Sequence, residues 1–239
     1  MGTPIAQRFG AAVTSLTLLL LSACGSERPA PSAAPVQREV PGEPAREPRL
    51  IFDLSEARLG IVEHALDAPM VLPAGALAAF NGGFFDADGE AEGYAVTEGR
   101  LVAEYDASLG GGVLVVVDGL ARLEDGEVFR VPAELPEFAV QAKPRLVVGG
   151  VVNIRSETGR RAARTALCIR DQGRSVEVVI RPAPEGEGPT LLELANELVR
   201  SGCEEALNLD GGPSTGVLTA SRSDLPRGPI RHTIVVSPR

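Results

Sequence analysis

The sequence predicts an α+β domain, a strand-rich mixed sheet with one well-defined helix at about 190–201 and few others. Two observations lead there. Short apolar runs recur along residues 50–181, broken by Glu-Gly, Asp-Gly and Gln-Gly pairs that read as turns. A single stretch, "TLLELANELVRSG" (190–202), instead repeats its apolar residues at helical spacing. Strands with one good helix and no internal repeat make an α+β class.

Residues 1–23 stand outside that domain. Arg8 supplies a positive n-region, and residues 11–23 form an apolar stretch too short for a bilayer, which takes about 20 residues. The layout is that of a secretory signal. Its ending, "LSAC", resembles a bacterial lipobox, so processing would leave Cys24 as a lipidated N-terminus on a membrane. An ordinary cleaved signal or a buried first helix is the alternative. Gly25 after the cysteine resembles outer-membrane retention, facing the periplasm, if the cell is Gram-negative. More than one acyl chain gives a stable anchor. Residues 24–48 follow, with Pro29, Pro31, Pro35, Pro41, Pro44 and Pro48 and few large apolar side chains. Such a segment buries too little surface to offset its ordering entropy and reads as a tether. Fully extended as polyproline it would reach roughly 75 Å.

Residues 49–239 are long enough for one domain with its own core. "LIFDL" and "RLGIVEH" open it as strands, and "YAVTEGRLVA" (94–103) is a hairpin about Glu98-Gly99. "GVLVVVDGLARLEDGEVF" adds strands punctuated by Asp118-Gly119 and Asp125-Gly126. "RTALCIRDQGRSVEVVIR" is a strand pair turning near Gln172-Gly173. In the helix, Thr190 and Glu193 form a capping box, Leu191, Leu194, Ala195 and Leu198 one apolar face, and Gly202 the stop. The helix hands directly to a strand at 205–209.

The formal net charge of −9 argues against nonspecific nucleic-acid binding. With Cys24 lipidated, Cys168 and Cys203 remain in an oxidising compartment, either as a disulfide or as two buried thiols. His64 and His232 are isolated and have no metal-ligand spacing, so both read as structural and no metal is expected.

Two stretches share one grammar. "LAAFNGGFFDADGE" (77–90) is an apolar run ending in Asn81-Gly82-Gly83, with an acid at Asp86; "EALNLDGGPSTG" (205–216) ends in Asp210-Gly211-Gly212. The plain reading of each is a hairpin turn, which needs positive φ. The functional reading is a site, because glycines let backbone N–H groups approach an anion. Asp210, Ser214 and Thr215 can orient hydroxyls, water or a proton. In "RRAARTALCI", Arg160 and Arg161 fall in a solvated loop. Arg164, beside Thr165 at a strand edge, suits a phosphate or carboxylate. A surface or salt-bridged arginine is the plain alternative.

"NGGFFD" (81–86), "YAVTEGRLV" (94–102), "VQAKPRLVVGG" (140–150), "RTALCI" (164–169) and "TLLELANELVRSGCEEALNLDGGPST" (190–215) occur in that order. Together they resemble the phosphodiester glycosidase family over about residues 50–238. Two positions depart from it: Lys143 stands where glycine is common, and Pro213 replaces a frequent glycine, as in a bacterial subgroup. The resemblance implies a hydrolase that splits the sugar–phosphate bond of a glycosyl phosphodiester or envelope glycan, releasing a sugar such as N-acetylglucosamine. The departing phosphate monoester is already a stable anion, its second pKa being about 6, so a strong general acid matters less than in ordinary glycosidases. A cradle for phosphate is needed, and a carboxylate near C1. The implied cradle is Arg164 with Gly82, Gly83, Gly211 and Gly212; Asn81, Thr165, Ser214 and Thr215 would hold sugar hydroxyls or phosphate oxygens. Asp210 and Asp86 are the candidate base or nucleophile, and Asp210 is preferred because helix and strand fix its position. No cofactor is implied, although acids near phosphate leave room for a divalent cation. The competing reading is a non-catalytic envelope lipoprotein that binds sugar phosphates.

Overall fold

The computed structural model describes residues 49–156 and 158–239. The expected signal, the expected lipidation at Cys24 and the expected tether all lie outside the described residues.

Three antiparallel sheets enclose one main core. The first has six strands in the order Leu50–Asp53, Ser175–Arg181, Arg164–Arg170, Glu205–Asn208, Arg145–Val148 and Val151–Val152. The second runs Arg100–Ala103, Ala95–Thr97, Phe138–Ala142, Gly112–Val117, Leu120–Asp125. The third runs Ser223–Asp224, Val217–Thr219, Ala78–Asn81, His232–Pro238, Ala57–Glu63. Phe84–Phe85 and Ala91–Glu92 form a separate two-stranded ribbon.

The domain is mostly β, with one α-helix among the described residues. The expected mixed sheet is corrected: every strand pairing among them is antiparallel. Parallel neighbours need a long crossover, usually a helix, for each pair. The one helix here, Leu191–Arg200, does carry a crossover, from Ser175–Arg181 to Glu205–Asn208. Those two strands run the same way, but Arg164–Arg170 lies between them and pairs antiparallel with both.

The helix forms where its pattern places it. Thr190 Oγ1 accepts from Glu193 N at 3.2 Å, and the Glu193 side chain accepts from Thr190 N at 3.0 Å, completing the capping box. Gly202, at φ +80°, ends it. Leu194, Ala195 and Leu198 bury against Leu146, Ala166, Cys168 and Ala206 on the outer face of the first sheet. A Cys168–Cys203 disulfide, Cα–Cα 5.8 Å, ties the helix exit to the strand beneath. The inner face of the same sheet, with Leu167, Ile169, Val178 and Leu207, meets Leu114, Phe138 and Val140 of the second sheet and Phe80, Ile234 and Val236 of the third. Alternation along Arg164–Arg170 therefore serves two cores at once. Behind the second sheet, Tyr94, Val96 and Val113 pack with Phe129.

The ordinary hairpins fall where expected. Glu98 and Gly99 (φ +50° and +70°) join their two strands, and Asp118 and Gly119 (+50° and +69°) do the same for theirs. The two motif turns differ. The strand ending in Asn81 does not pair with Phe84–Phe85, and Glu205–Asn208 does not pair with Val217–Thr219. Each motif is a place where the chain leaves one sheet for another. Moreover, Val217–Thr219, reached through the second motif, pairs with Ala78–Asn81, which ends in the first, Val217 opposite Phe80. Sheet pairing thus delivers both motifs to one place.

Candidate active site

Asn81 stitches the two turns together. It is 1% exposed. Its Nδ2 donates to the Asp210 carbonyl at 2.7 Å, while its Oδ1 accepts from Thr165 Oγ1 at 2.7 Å and Gly216 N at 3.2 Å. Backbone bonds reinforce the join: Asn81 N to Gly216 O, and Asp210 N to Gly82 O, both at 3.3 Å. A buried amide so fully bonded fixes position.

The close approach explains two of the glycines. A Cβ on Gly82 would lie 2.8 Å from His232 Cβ, and one on Gly211 would lie 2.8 Å from the Ala163 carbonyl. Gly212 is required for its backbone, φ +59°, with open space around it. Gly83 has only ordinary contacts, its nearest being Val140 Cγ2 at 3.6 Å.

Most of the expected N–H cradle is already bonded within the protein. Gly82 N donates to His232 O (2.9 Å), Gly211 N to Asp210 Oδ1 (2.8 Å) and Gly212 N to Ala163 O (2.8 Å). These three N–H groups, expected to face a phosphate, instead bond within the protein here, closing the two turns onto their neighbours. Thr165, fully buried, donates to Asn81, so its hydroxyl supports the turn. Asp86 accepts from Asp88 N and Glu90 N through one oxygen, both at 2.9 Å, which closes the turn beyond Phe84-Phe85. None of the hydrogen bonds that join the two motifs reaches it. Arg164 is buried, its Nε donating to Pro189 O at 3.2 Å and its Nη2 to Arg160 O at 2.8 Å. It ties the preceding loop to the chain ahead of the helix, where the sequence reading placed it on phosphate.

Asp210 is the carboxylate the two turns present. Half-buried, it is pushed above the ordinary carboxylate range by burial. The Ser214 hydroxyl, the Gly211 N–H and the charge of Arg160 oppose that rise. Ser214 Oγ also lies 3.0 Å from the Pro229 carbonyl. Such a group is poised to exchange a proton. Nearby, Thr215 Oγ1, Asn208 Oδ1 and His232 Nε2 are buried with no hydrogen-bond partner among the described residues. Asn208 is held through Nδ2, which donates to the carbonyls of Lys143 (2.9 Å) and Leu209 (2.8 Å). Lys143 sits in a cis peptide bond with Pro144.

His232, Asn208 and Arg160 were not among the sequence candidates. Asn208 stands two residues before Asp210, and its place in the motif was the available signal. His232 is buried beside Gly82, its pKa pushed down to about 4 by burial and by the charges of Arg231 and His64. Nothing local marks it, because its partner turn lies far away in sequence. Among the described residues no three His, Cys, Asp or Glu side chains form a metal-holding group. Two surface grooves, of about 580 Å³ beside Asp118 and Glu137 and about 450 Å³ beside Gly60 and Thr97, contain none of the motif residues.

Two sheet-end motifs are locked around a half-buried carboxylate whose pKa burial raises, an arrangement that could serve hydrolysis. A family model described as phosphodiester glycosidase matches residues 74–236, and the chain belongs to that family of glycosidase-type hydrolases. Three solved structures are similar to it. The catalytic domain of zebrafish N-acetylglucosamine-1-phosphodiester alpha-N-acetylglucosaminidase, auto-inhibited by its pro-peptide, matches with a TM-score of 0.59 at 16% identity, covering 78% of this chain and 74% of that one. A putative exported protein of Burkholderia pseudomallei matches at 0.55 and 15%, covering 79% and 73%. A hypothetical protein from Synechocystis matches at 0.51 and 16%, covering 77% and 57%. At these identities the likeness is one of fold. No curated protein sequence matches the chain.

Proposed function

We propose that this protein is an envelope-anchored hydrolase that cleaves the sugar–phosphate bond of a glycosyl phosphodiester, with Asp210 at the reacting carbon. The observation that carries the reading is the raised, half-buried Asp210 carboxylate at the meeting point of both motifs, in a chain of this family. In the reaction, the C1–O bond breaks and its electron pair leaves on the phosphate oxygen. Water supplies the new hydroxyl at C1, and its proton passes to the Asp210 carboxylate, either directly or after that carboxylate has first bonded C1. The phosphate monoester leaves as an anion.

Thr215, Asn208 and Ser214 are the polar side chains available to sugar hydroxyls, two of them with a buried atom lacking a partner. Asp86, which holds its own turn, would shape the wall beyond Phe84-Phe85. Export is supported by the Cys168–Cys203 disulfide, since such bonds persist in oxidising compartments. Lipidation at Cys24 and a tether through residue 48 would keep the domain beside the membrane.

The test is release of free sugar from a panel of sugar-1-phosphodiesters, including UDP-N-acetylglucosamine, followed by mass spectrometry with Asp210→Asn alongside. Sugar and phosphate monoester from wild type only is the expected result. Saturable binding in both proteins with no product would replace the hydrolase by a binding protein.

A further inference from the structure

Resting on the reading above, we propose that Arg160 is the residue that binds the phosphate of the substrate, as a cation held next to Asp210 by its neighbours. A phosphodiester carries one negative charge and its monoester product nearly two, so the site needs positive charge that grows in value as the bond breaks. The expected sources are already engaged. Three glycine N–H groups of the two turns bond within the protein. Arg164 reaches backbone carbonyls.

The loop before Arg164 holds two more arginines, and they differ in their surroundings. Arg161 is clamped, donating to Glu193 at 2.9 and 2.5 Å and to Gly188 O at 2.9 Å. Arg160 is exposed, and its guanidinium has no hydrogen bond or ion pair among the described residues. Its backbone is nonetheless fixed. Arg164 Nη2 holds the Arg160 carbonyl at 2.8 Å, and Gly212 N holds the carbonyl of Ala163, three residues further on, at 2.8 Å, so the loop enters the Asp210-Gly211-Gly212 turn at a fixed point. Arg160 is also the cation whose charge is felt at the Asp210 carboxylate.

Two arginines therefore anchor the loop, and the third is left with its charge acting on the carboxylate. A guanidinium there neutralises a phosphodiester brought up to Asp210, which would otherwise meet the carboxylate as a like charge. Its attraction strengthens as negative charge gathers on the leaving oxygen, so it favours the transition state over the bound substrate.

The test compares two substrates with one sugar: UDP-N-acetylglucosamine, which carries a charged phosphate on the scissile bond, and 4-nitrophenyl N-acetyl-α-glucosaminide, which has no phosphate and whose leaving group departs as a phenolate. With the full chain, Arg160→Ala should lower kcat/KM for the phosphodiester by about 10- to 100-fold and leave the aryl glycoside within about twofold, as expected for one charge-assisted contact. Arg160→Lys should recover part of the loss. Equal losses on both substrates would overturn the inference, because they indicate a structural role; no loss on either would overturn it too. Calorimetric titration with UDP-N-acetylglucosamine separates this inference from the hydrolase reading. If wild type binds the diester without releasing sugar and Arg160→Ala binds at least tenfold more weakly, the contact stands and the hydrolase falls. If wild type releases sugar and Arg160→Ala keeps full phosphodiester activity and affinity, the hydrolase stands and the contact falls. If wild type neither binds nor cleaves the diester, the contact is overturned.

Discussion

The Asn81-Gly82-Gly83 and Asp210-Gly211-Gly212 turns look alike in sequence and behave as opposites in the fold. Asn81 is fully buried and bonded at both ends of its amide, with three partners in two other segments. Asp210 is half-buried, and burial works against its charge more than its hydrogen bonds relieve it. One turn holds the site together, and on the proposed reading the other bears its chemistry. The difference of a single atom, amide nitrogen against carboxylate oxygen, decides which is which. The Asn81 amide donates and accepts and so closes a network; the Asp210 carboxylate can only accept, and it stays available for a proton.

The largest expected effect follows from Asp210. Asp210→Asn keeps the acceptor for Gly211 N and removes the base or nucleophile, so turnover should fall by roughly 10²- to 10⁴-fold. Stability should move the other way. The folded pKa is raised above the unfolded value, so the ionised carboxylate opposes folding once the pH exceeds that folded pKa. At neutral pH the melting temperature of Asp210→Asn should equal or exceed that of wild type. A marked drop in Tm would make Asp210 structural and erase the contrast between the turns.

Asn81→Ala should reverse the pattern. It strands the Asp210 carbonyl, Gly216 N and the Thr165 hydroxyl in the interior, at a cost of roughly 2 to 4 kcal/mol in urea unfolding. Whatever activity it loses should accompany misplacement of Asp210. Full stability with lost turnover would instead put Asn81 on the substrate, where the sequence reading placed it.

His232 sharpens the comparison through pH. The unfolded chain takes up this proton at about 6.5, whereas the folded protein refuses it down to about 4. Stability is therefore fully present above pH 6.5 and falls as pH drops towards 4, by about 3 kcal/mol from this group. His232→Gln should flatten that part of the urea-stability profile. The activity profile should keep its acid limb, which belongs to ionisation of Asp210. If both profiles flatten together, the histidine beside Gly82 also takes part in the chemistry.

How much of this could be read in advance depends on the range of the forces involved. Thr190 and Glu193 cap the helix, and Glu98-Gly99 and Asp118-Gly119 close hairpins, for reasons contained within four residues, and the sequence shows them plainly. That the motif turns leave their sheets depends on Val217 pairing with Phe80, across most of the chain. The proposed choice of Arg160 over Arg164 was equally out of reach, since it rests on Pro189 O, Gly188 O and Glu193 engaging the other two arginines. The family motif marked where residues gather, and only the long-range bonds divide them into supports and reagents.

The smallest effects come from the four glycines, and they separate space from conformation. Gly82→Ala should cost most, roughly 1 to 3 kcal/mol, because its Cβ meets the Cβ of His232 on a paired strand that cannot retreat alone. Gly211→Ala pushes a Cβ against the Ala163 carbonyl, and its effect should appear in both stability and turnover, since that carbonyl also receives Gly212 N. Gly212→Ala meets nothing within 4 Å, and its strain is that of φ +59° alone, about 1 kcal/mol. Gly83→Ala, with ordinary contacts and no positive φ, should leave stability nearly unchanged. An alanine scan by urea unfolding that ranks 82 first and 83 last fits the packing described here. If Gly83→Ala instead keeps its stability and loses turnover, the first turn also comes close to the substrate, and the division between a holding turn and a reacting one would have to run through the first motif, between Gly82 and Gly83.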